Sequence, residues 1–160
     1  MSQNSETTVT KVGVISDTHS LLRESAIQAL QGVDHILHVG DVCEPGILEE
    51  LQKIAPLHTV RGNCDYGKWA EALPITETVE IAGCWIYMIH NLQQLDIQPS
   101  GQFQVVLHGH THMPDIQQKG DVLYFNPGSA GPRRFTKPIS IGYLEIENGV
   151  PKATWEHLEE

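Results

Sequence analysis

Lys11-Val12-Gly13-Val14-Ile15 runs straight into Ser16-Asp17-Thr18-His19. A short apolar run rich in β-branched residues reads as a buried strand. Asp17 and His19 are two residues apart, so in extended chain both side chains face the same way. Taken alone, the polar tail is a turn with Asp17 capping the next helix, a position that Asp favours. Helical spacing does follow, with Leu22, Ala26, Ala29 and Leu30 on one face of Leu21–Gly32 and Gly32 suited to its C-terminal end. His35-Ile36-Leu37-His38-Val39 then repeats the strand and closes on Gly40-Asp41. Pro45 predicts a helix over Pro45–Ile54 with Cys43 or Glu44 at its cap, which frees Asp41 from capping. Leu57–Val60 reads as a third strand, followed by Arg61-Gly62-Asn63-Cys64-Asp65, which on its own is a polar turn. Strand, helix, strand, helix, strand is the signature of an α/β domain with a parallel sheet.

From Thr76 the texture changes. Thr76–Ile81 and Trp85–Ile89 flank Ala82-Gly83 as a hairpin, and the second run ends at His90. Phe103–Leu107 is another strand, followed by Gly109-His110-Thr111-His112. Those two imidazoles share one side of the chain, and Gly109 allows close backbone approach. A His-x-His pair can equally be two hydrogen-bonded surface histidines. Val122–Phe125 ends in Asn126-Pro127-Gly128-Ser129. Pro138–Ile146 and Val150–His157 alternate around Asn148-Gly149, a strong hairpin signal. The second half therefore reads as mostly antiparallel β.

The chain has 160 residues, 40% of them hydrophobic, which suits one domain with a real core. Residues 1–8 are polar and read as a flexible tail, leaving 9–160 as the single domain. The tail lacks the apolar centre of a signal peptide. No apolar run approaches the roughly 18 residues of a membrane span. Lys and Arg total 10 against 20 Asp and Glu, for a formal net charge of -10. Such a chain matches long nucleic acid poorly, because that binding rests on neutralising phosphates. A small phosphate ester held by metal is not excluded. Cys43, Cys64 and Cys84 are too few and scattered for a disulfide framework and suit a reducing cytoplasm.

Open α/β sheets place ligands at the carboxyl ends of their strands. Asp17, His19, Asp41, Asn63, His90, His110 and His112 all lie just beyond such ends, on five different strands. Each has a bland explanation as a turn residue or surface side chain; together they form a mixed nitrogen and oxygen set. That set suits Mn, Fe, Co, Ni or Zn rather than Ca. Seven ligands are too many for one tetrahedral ion and about right for two.

The order Asp17-x-His19, Gly40-Asp41, Gly62-Asn63-x-Asp65, His90, Gly109-His110-x-His112 resembles the motifs of the calcineurin-like metallophosphoesterases. The short length, Gly62-Asn63-Cys64-Asp65 and Asn126-Pro127-Gly128-Ser129 resemble its small YfcE-like phosphodiesterase branch. The resemblance runs from about Lys11 to His157. It implies a four-layer α/β/β/α sandwich of two mixed sheets. It implies one ion on Asp17, His19, Asp41 and His112 and a second on Asp41, Asn63, His90 and His110, with Asp41 shared. Two divalent transition-metal ions, Mn foremost, would lie roughly 3.5–4 Å apart, and a hydroxide between them would attack a small phosphodiester.

Some positions depart from the commonest family pattern. Cys64 stands where most members carry a His that assists the leaving oxygen, which leaves the general acid unassigned. Asp65, the partner of that His, is the remaining catalytic candidate beside its reading as a turn residue. Asn63 and Arg133, with Arg134 next to it, are candidates for the substrate phosphate, since Arg pairs bidentately with phosphate; a surface role for the arginines weighs equally. His90 is followed by Asn91-Leu92 rather than the Gly-His of the branch. His35, His38, His58, His108 and His157 have no motif role, although His38, two residues before Gly40, could stand behind the site as well as in the core. Asn126–Ser129 reads as structural support beside the metals. The fold also resembles a retromer coat subunit, a protein-binding scaffold with a degenerate metal site. That alternative predicts lost ligands, and all seven positions here are filled. Homo-oligomer formation stays open.

Overall fold

The computed structural model describes residues 8–159, so the tail expected over 1–8 falls almost wholly on residues 1–7, outside the described residues. Two five-stranded sheets lie face to face. The first has the order β10-β9-β1-β2-β3 and the second β4-β5-β6-β8-β7. In the first, β1 (Val9–Ile15) pairs in parallel with β2 (His35–His38), and β2 with β3 (Leu57–Thr59). The late hairpin, β9 (Ser140–Glu147) and β10 (Val150–His157), joins this same sheet antiparallel to β1. The inner faces interdigitate: Val12, Val14, Leu37 and Val39 meet Ile86, Met88, Leu107 and Phe125 in one buried cluster. Period-two alternation delivers these residues to the interior, and close packing fixes the strand register.

Helices α1 (Glu24–Ala29) and α2 (Pro45–Gln52) cover the outer face of the first sheet, where Ala26, Leu30, Ile47 and Leu51 pack on Ile15, Ile36 and Ile141. α2 starts as its sequence predicts, with Pro45 in the first turn and the Glu44 carboxylate accepting from the Gly46 N–H at 3.4 Å. α1 is much shorter than the spacing of Leu21–Gly32 predicts. The His19 and Ser20 N–H groups instead bond the carbonyls of Asp41 and Val42, each at 3.0 Å. Chain that could have begun the helix continues the pairing of β1 with β2 and holds their loops together. A third helix, α3 (Lys68–Glu71), is a single turn.

From Thr76 on, most strand pairs are antiparallel, as expected, while the second sheet itself is mixed. β4 (Thr76–Ile81) and β5 (Cys84–Ile89) form the expected hairpin. Yet β5 is parallel to β6 (Val105–Leu107), and β6 is parallel to β8 (Val122–Asn126). The crossover from β5 to β6 carries only a 3-10 turn at Leu92–Gln94, so the helix that usually betrays a parallel link is missing. That crossover is the fourth layer: Leu92, Leu95 and Ile97 cover Tyr87, Ile89, Phe103 and Val106. β7 (Asp115–Lys119) was not expected. All five of its residues are exposed, so burial imposes no alternation on it, and backbone pairing with β8 alone makes it a strand.

Candidate metal centre

The loops after β1, β2, β3, β5 and β6 meet at one end of the sandwich. Gly109 N–H donates to the His90 carbonyl at 2.9 Å and Asp17 N–H to the Gly40 carbonyl at 3.0 Å. Asp17, His19, Asp41, His110 and His112 all adopt positive φ, between 44° and 74°. Non-glycine residues rarely accept this conformation, and such strain collects at functional sites.

Each carboxylate has one oxygen tied to the protein and the other facing imidazoles. Asp17 is fully buried. Its Oδ2 accepts from Ser16 Oγ–H at 2.6 Å and His110 N–H at 3.1 Å. Its Oδ1 has no hydrogen-bond partner, yet it lies 3.4 Å from His112 Nε2, 3.7 Å from His19 Nε2 and 3.9 Å from His90 Nε2. Asp41 Oδ1 accepts from Cys64 N–H at 2.8 Å, and its Oδ2 sits 3.3 Å from His90 Nε2 and 3.5 Å from His19 Nε2. His90 Nδ1–H donates to the Val39 carbonyl at 2.8 Å, which fixes the tautomer and turns the Nε2 lone pair toward the carboxylates. That Nε2 is buried and unpartnered.

Lone pairs converging on carboxylate oxygens, dry and unbonded, are costly without a cation between them. The ion-free electrostatics reflect this crowding. Burial pushes the Asp17 carboxyl up, but His19, His90, Ser16 and His112 outweigh it and hold it below its ordinary value. Burial likewise opposes ionisation of Asp41, and His90, the Cys64 N–H and His19 bring it down to about 2. Burial pushes His90 down, while Asp41 and Asp17 raise it to a net upward shift. Three groupings have ligand atoms within 4.8 Å of one another and could hold an ion: Asp17, His19 and His112; Asp17, Asp41 and His90; His19, Asp41 and Cys64.

Five of the seven expected ligands thus converge tightly. Asn63 and His110 meet at the exposed rim, with Asn63 Oδ1 3.1 Å from His110 Nδ1. The His110 ring stands edge-on to His90, centroids 5.2 Å apart. Asp65 is buried, and its carboxylate accepts from the N–H groups of Gly62 and Cys43 at 2.8 Å and Asp41 at 3.0 Å. Both oxygens are occupied in bracing the loop that presents Asp41. Arg133 and Arg134 lie exposed on the segment 131–138, which Lys137 ties to the Thr111 carbonyl at 2.7 Å.

Several supporting residues escape a motif reading. Cys43 Sγ lies 3.7 Å from His19 Nδ1, on the far side of the ring from the carboxylates, and burial raises its thiol to about 12. His38 is wholly buried; its Nδ1 accepts from Gly40 N–H at 3.1 Å and its Nε2 lies 3.1 Å from Thr18 Oγ1. Its place two residues before Gly40 was the available signal, and the structure puts it behind the site. Asn126 donates to the Gly109 carbonyl at 3.1 Å and to Thr111 Oγ1 at 3.0 Å, and Ser129 Oγ–H donates to the Asp17 carbonyl at 3.0 Å. Asn126–Ser129 is the support that its sequence suggests.

Known proteins share both sequence and shape with this chain. A protein of Methanothermobacter thermautotrophicus named "Probable metallophosphoesterase" is 35% identical over 153 residues, 85% of this chain and 86% of that one. "Phosphodiesterase YfcE" of Escherichia coli is 27% identical over 165 residues, covering 84% of this chain and 87% of its own. Vacuolar protein sorting 29 of Cryptosporidium parvum superimposes with a TM-score of 0.74 over 95% of this chain and 99% of that one, at 19% identity, a likeness of fold alone. Among the described residues, no helix is long and apolar enough to cross a membrane. Residues 10–149 match the calcineurin-like phosphoesterase superfamily domain, and the chain belongs to that family of hydrolases acting on ester bonds.

Proposed function

We propose that the site holds two divalent transition-metal ions and hydrolyses a small phosphodiester. Mn is the first choice, with Fe, Co, Ni or Zn as alternatives for this donor set. Asp17, His19, Asp41 and His112 would hold one ion and Asp41, Asn63, His90 and His110 the other. The observation that carries this reading is the pair of buried, unpartnered atoms, Asp17 Oδ1 and His90 Nε2, aimed into one cluster of carboxylates and imidazoles. Bound there, the ions supply charge to the phosphoryl oxygens and acidify the attacking water.

The chain's own contribution is orientation. Ser16 and the His110 N–H hold Asp17 Oδ2, so that Oδ1 faces the centre. The Val39 carbonyl sets the His90 tautomer. Asp65 grips three backbone N–H groups and fixes the loop carrying Asp41, a positioning role. Asn63 stands at the open rim, where a phosphoryl oxygen would arrive, and Arg133 would meet the phosphate from the segment above. Burial and the neighbouring Asp41 push the Cys64 thiol up, so it is a poor proton donor to a leaving oxygen. Esters with good leaving groups are therefore the best substrates. Three free thiols, two of them beside the site, suit a reducing compartment, the cytoplasm.

Asp41→Asn tests the shared carboxylate. Elemental analysis should show both ions depleted, and turnover of an aryl phosphodiester should fall by about three orders of magnitude. Wild-type metal stoichiometry with near wild-type turnover would overturn the assignment.

A further inference from the structure

A cavity of about 330 Å³ opens against the His90 and Asn63 side of the cluster, within the size range of small-molecule sites. Arg61 forms part of its wall, with Asn91, Gln94 and Ile75. Among the described residues, the Arg61 side chain has no hydrogen bond and no ion pair, and its Nε is buried without a partner. Its backbone N–H is anchored to the Pro74 carbonyl at 2.8 Å, so the base of the side chain is fixed.

The other half-buried cations each have a partner: Lys11 lies over the Tyr143 ring, Arg23 donates to the Gly131 carbonyl and Lys137 to the Thr111 carbonyl. A half-buried guanidinium ordinarily finds a carboxylate, because its planar fork matches one and its desolvation is otherwise uncompensated. Asp65 also lines the cavity, but its two oxygens are turned to the N–H groups of Asp41, Gly62 and Cys43. A half-buried cation without a protein partner, on the wall of a cavity that adjoins two candidate metal ligands, is suited to an anionic group of the substrate itself.

The geometry points to a substrate class: phosphodiesters whose non-leaving arm ends in a second anionic oxygen group, carboxylate or phosphate, bound by Arg61. This rests on the reading of the site as a phosphodiesterase. With the scissile phosphorus at the Asn63 rim, the arm lies along the cavity, its oxygens reach Arg61, and Asn91 and Gln94 contact its polar middle. Arg61 touches substrate away from the reacting atoms, so it determines specificity through binding.

The test uses three p-nitrophenyl phosphodiesters that differ only in the second arm: methyl, carboxylate-ended and phosphate-ended. Each is assayed with the Mn-loaded wild type, Arg61→Gln and Arg61→Lys at one ionic strength. The wild type should show a lower KM for at least one anionic arm than for the methyl arm, and which arm gains identifies the anion. Arg61→Gln should raise that KM about tenfold or more, the loss expected for a charge-assisted hydrogen bond. Arg61→Lys should recover part of it, since charge remains without the fork. The methyl ester reports on folding and on the metal centre in every variant. Equal KM values for all three arms in the wild type, or an equal rise for all three in Arg61→Gln, overturns the inference while leaving phosphodiesterase activity in place. No turnover of any ester by the wild type overturns the phosphodiesterase reading, and the inference with it.

Discussion

The two ends of the sandwich both contain left-handed backbone, placed on different kinds of residue. At the end away from the site, the hairpin turns carry it on Ala82-Gly83 and Asn148-Gly149, with φ between 52° and 81°. Three of these four are residues for which positive φ costs little, and the pairing is the one that tight hairpins prefer. At the site end it falls on Asp17, His19, Asp41, Cys43, His110 and His112. These are acids, imidazoles and a thiol, and all but Cys43 are proposed metal ligands. Each such position costs of order 1–3 kcal/mol, and the surrounding hydrogen bonds must over-determine it. The far end is built at low cost; the site end is held in place against strain.

After Asp41→Asn, the largest expected effect tests how tightly the site end is held. A Cβ on Gly62 would lie 2.1 Å from Asp41 Oδ1 and 2.4 Å from Asp41 N. Gly62→Ala must displace the loop that presents Asp41, and a misplacement near 1 Å costs about 10²-fold in rate. Steady-state kinetics on an aryl phosphodiester, with metal content measured in parallel, checks it; wild-type turnover would mean that the loop yields freely.

Acid should separate the two ends next. His38 and His108 are buried, and burial pushes both from 6.5 to about 4. Because their folded values are depressed, the unfolded chain takes up protons first as pH falls below 6.5. Their contribution to stability is therefore complete above 6.5 and is lost progressively down through 4, approaching a few kcal/mol for the pair. Urea melts of metal-free protein at pH 7, 6 and 5 should show the decline, and His108→Gln should flatten it. Hydrogen exchange at pH 5 should find protection lost first around residues 38–42 and 108–112. A flat stability profile across this range would refute the buried neutral imidazoles.

The smallest effect belongs to the far end. Gly149 has φ +76°, and a Cβ there would meet Gly83 O only at 3.4 Å, an ordinary contact apart from the backbone strain. Gly149→Ala should cost about 1 kcal/mol, or roughly 2–4 °C in Tm, with turnover unchanged. A loss of activity without a loss of stability would show that the two ends communicate.

Much of this architecture was legible in the chain because burial writes it there. The apolar runs of β1, β2, β5 and β6 and the polar residues after each reveal both the sheets and the candidate ligand set. β7 was not legible, since Asp115-Ile116-Gln117-Gln118-Lys119 faces water throughout and only backbone bonds hold it. The parallel β5–β6–β8 order was hidden for a related reason: the crossover 90–104 lacks the helix that would announce it. At the site, candidate ligands are recognisable by residue type and spacing. Cys43, Ser16 and Arg61 are not, because their roles depend on which loop or cavity lies across from them. Asp65 stood out in the sequence both as a catalytic candidate and as a turn residue, and only the folded chain shows the three N–H groups that its carboxylate accepts from.

That architecture sets the terms on which ions come and go. Asp65 binds three backbone N–H groups, Asn126 ties down the His110 loop, and Ser129 ties down the Asp17 loop, all through bonds among protein atoms. Small zinc domains collapse without their metal because the ion supplies the folding energy. Here the frame stands by itself, so a chelator should leave a folded but idle protein, ready to be reloaded. An organism could then run this hydrolase on whichever divalent ion is in supply, without redesigning the fold that holds it.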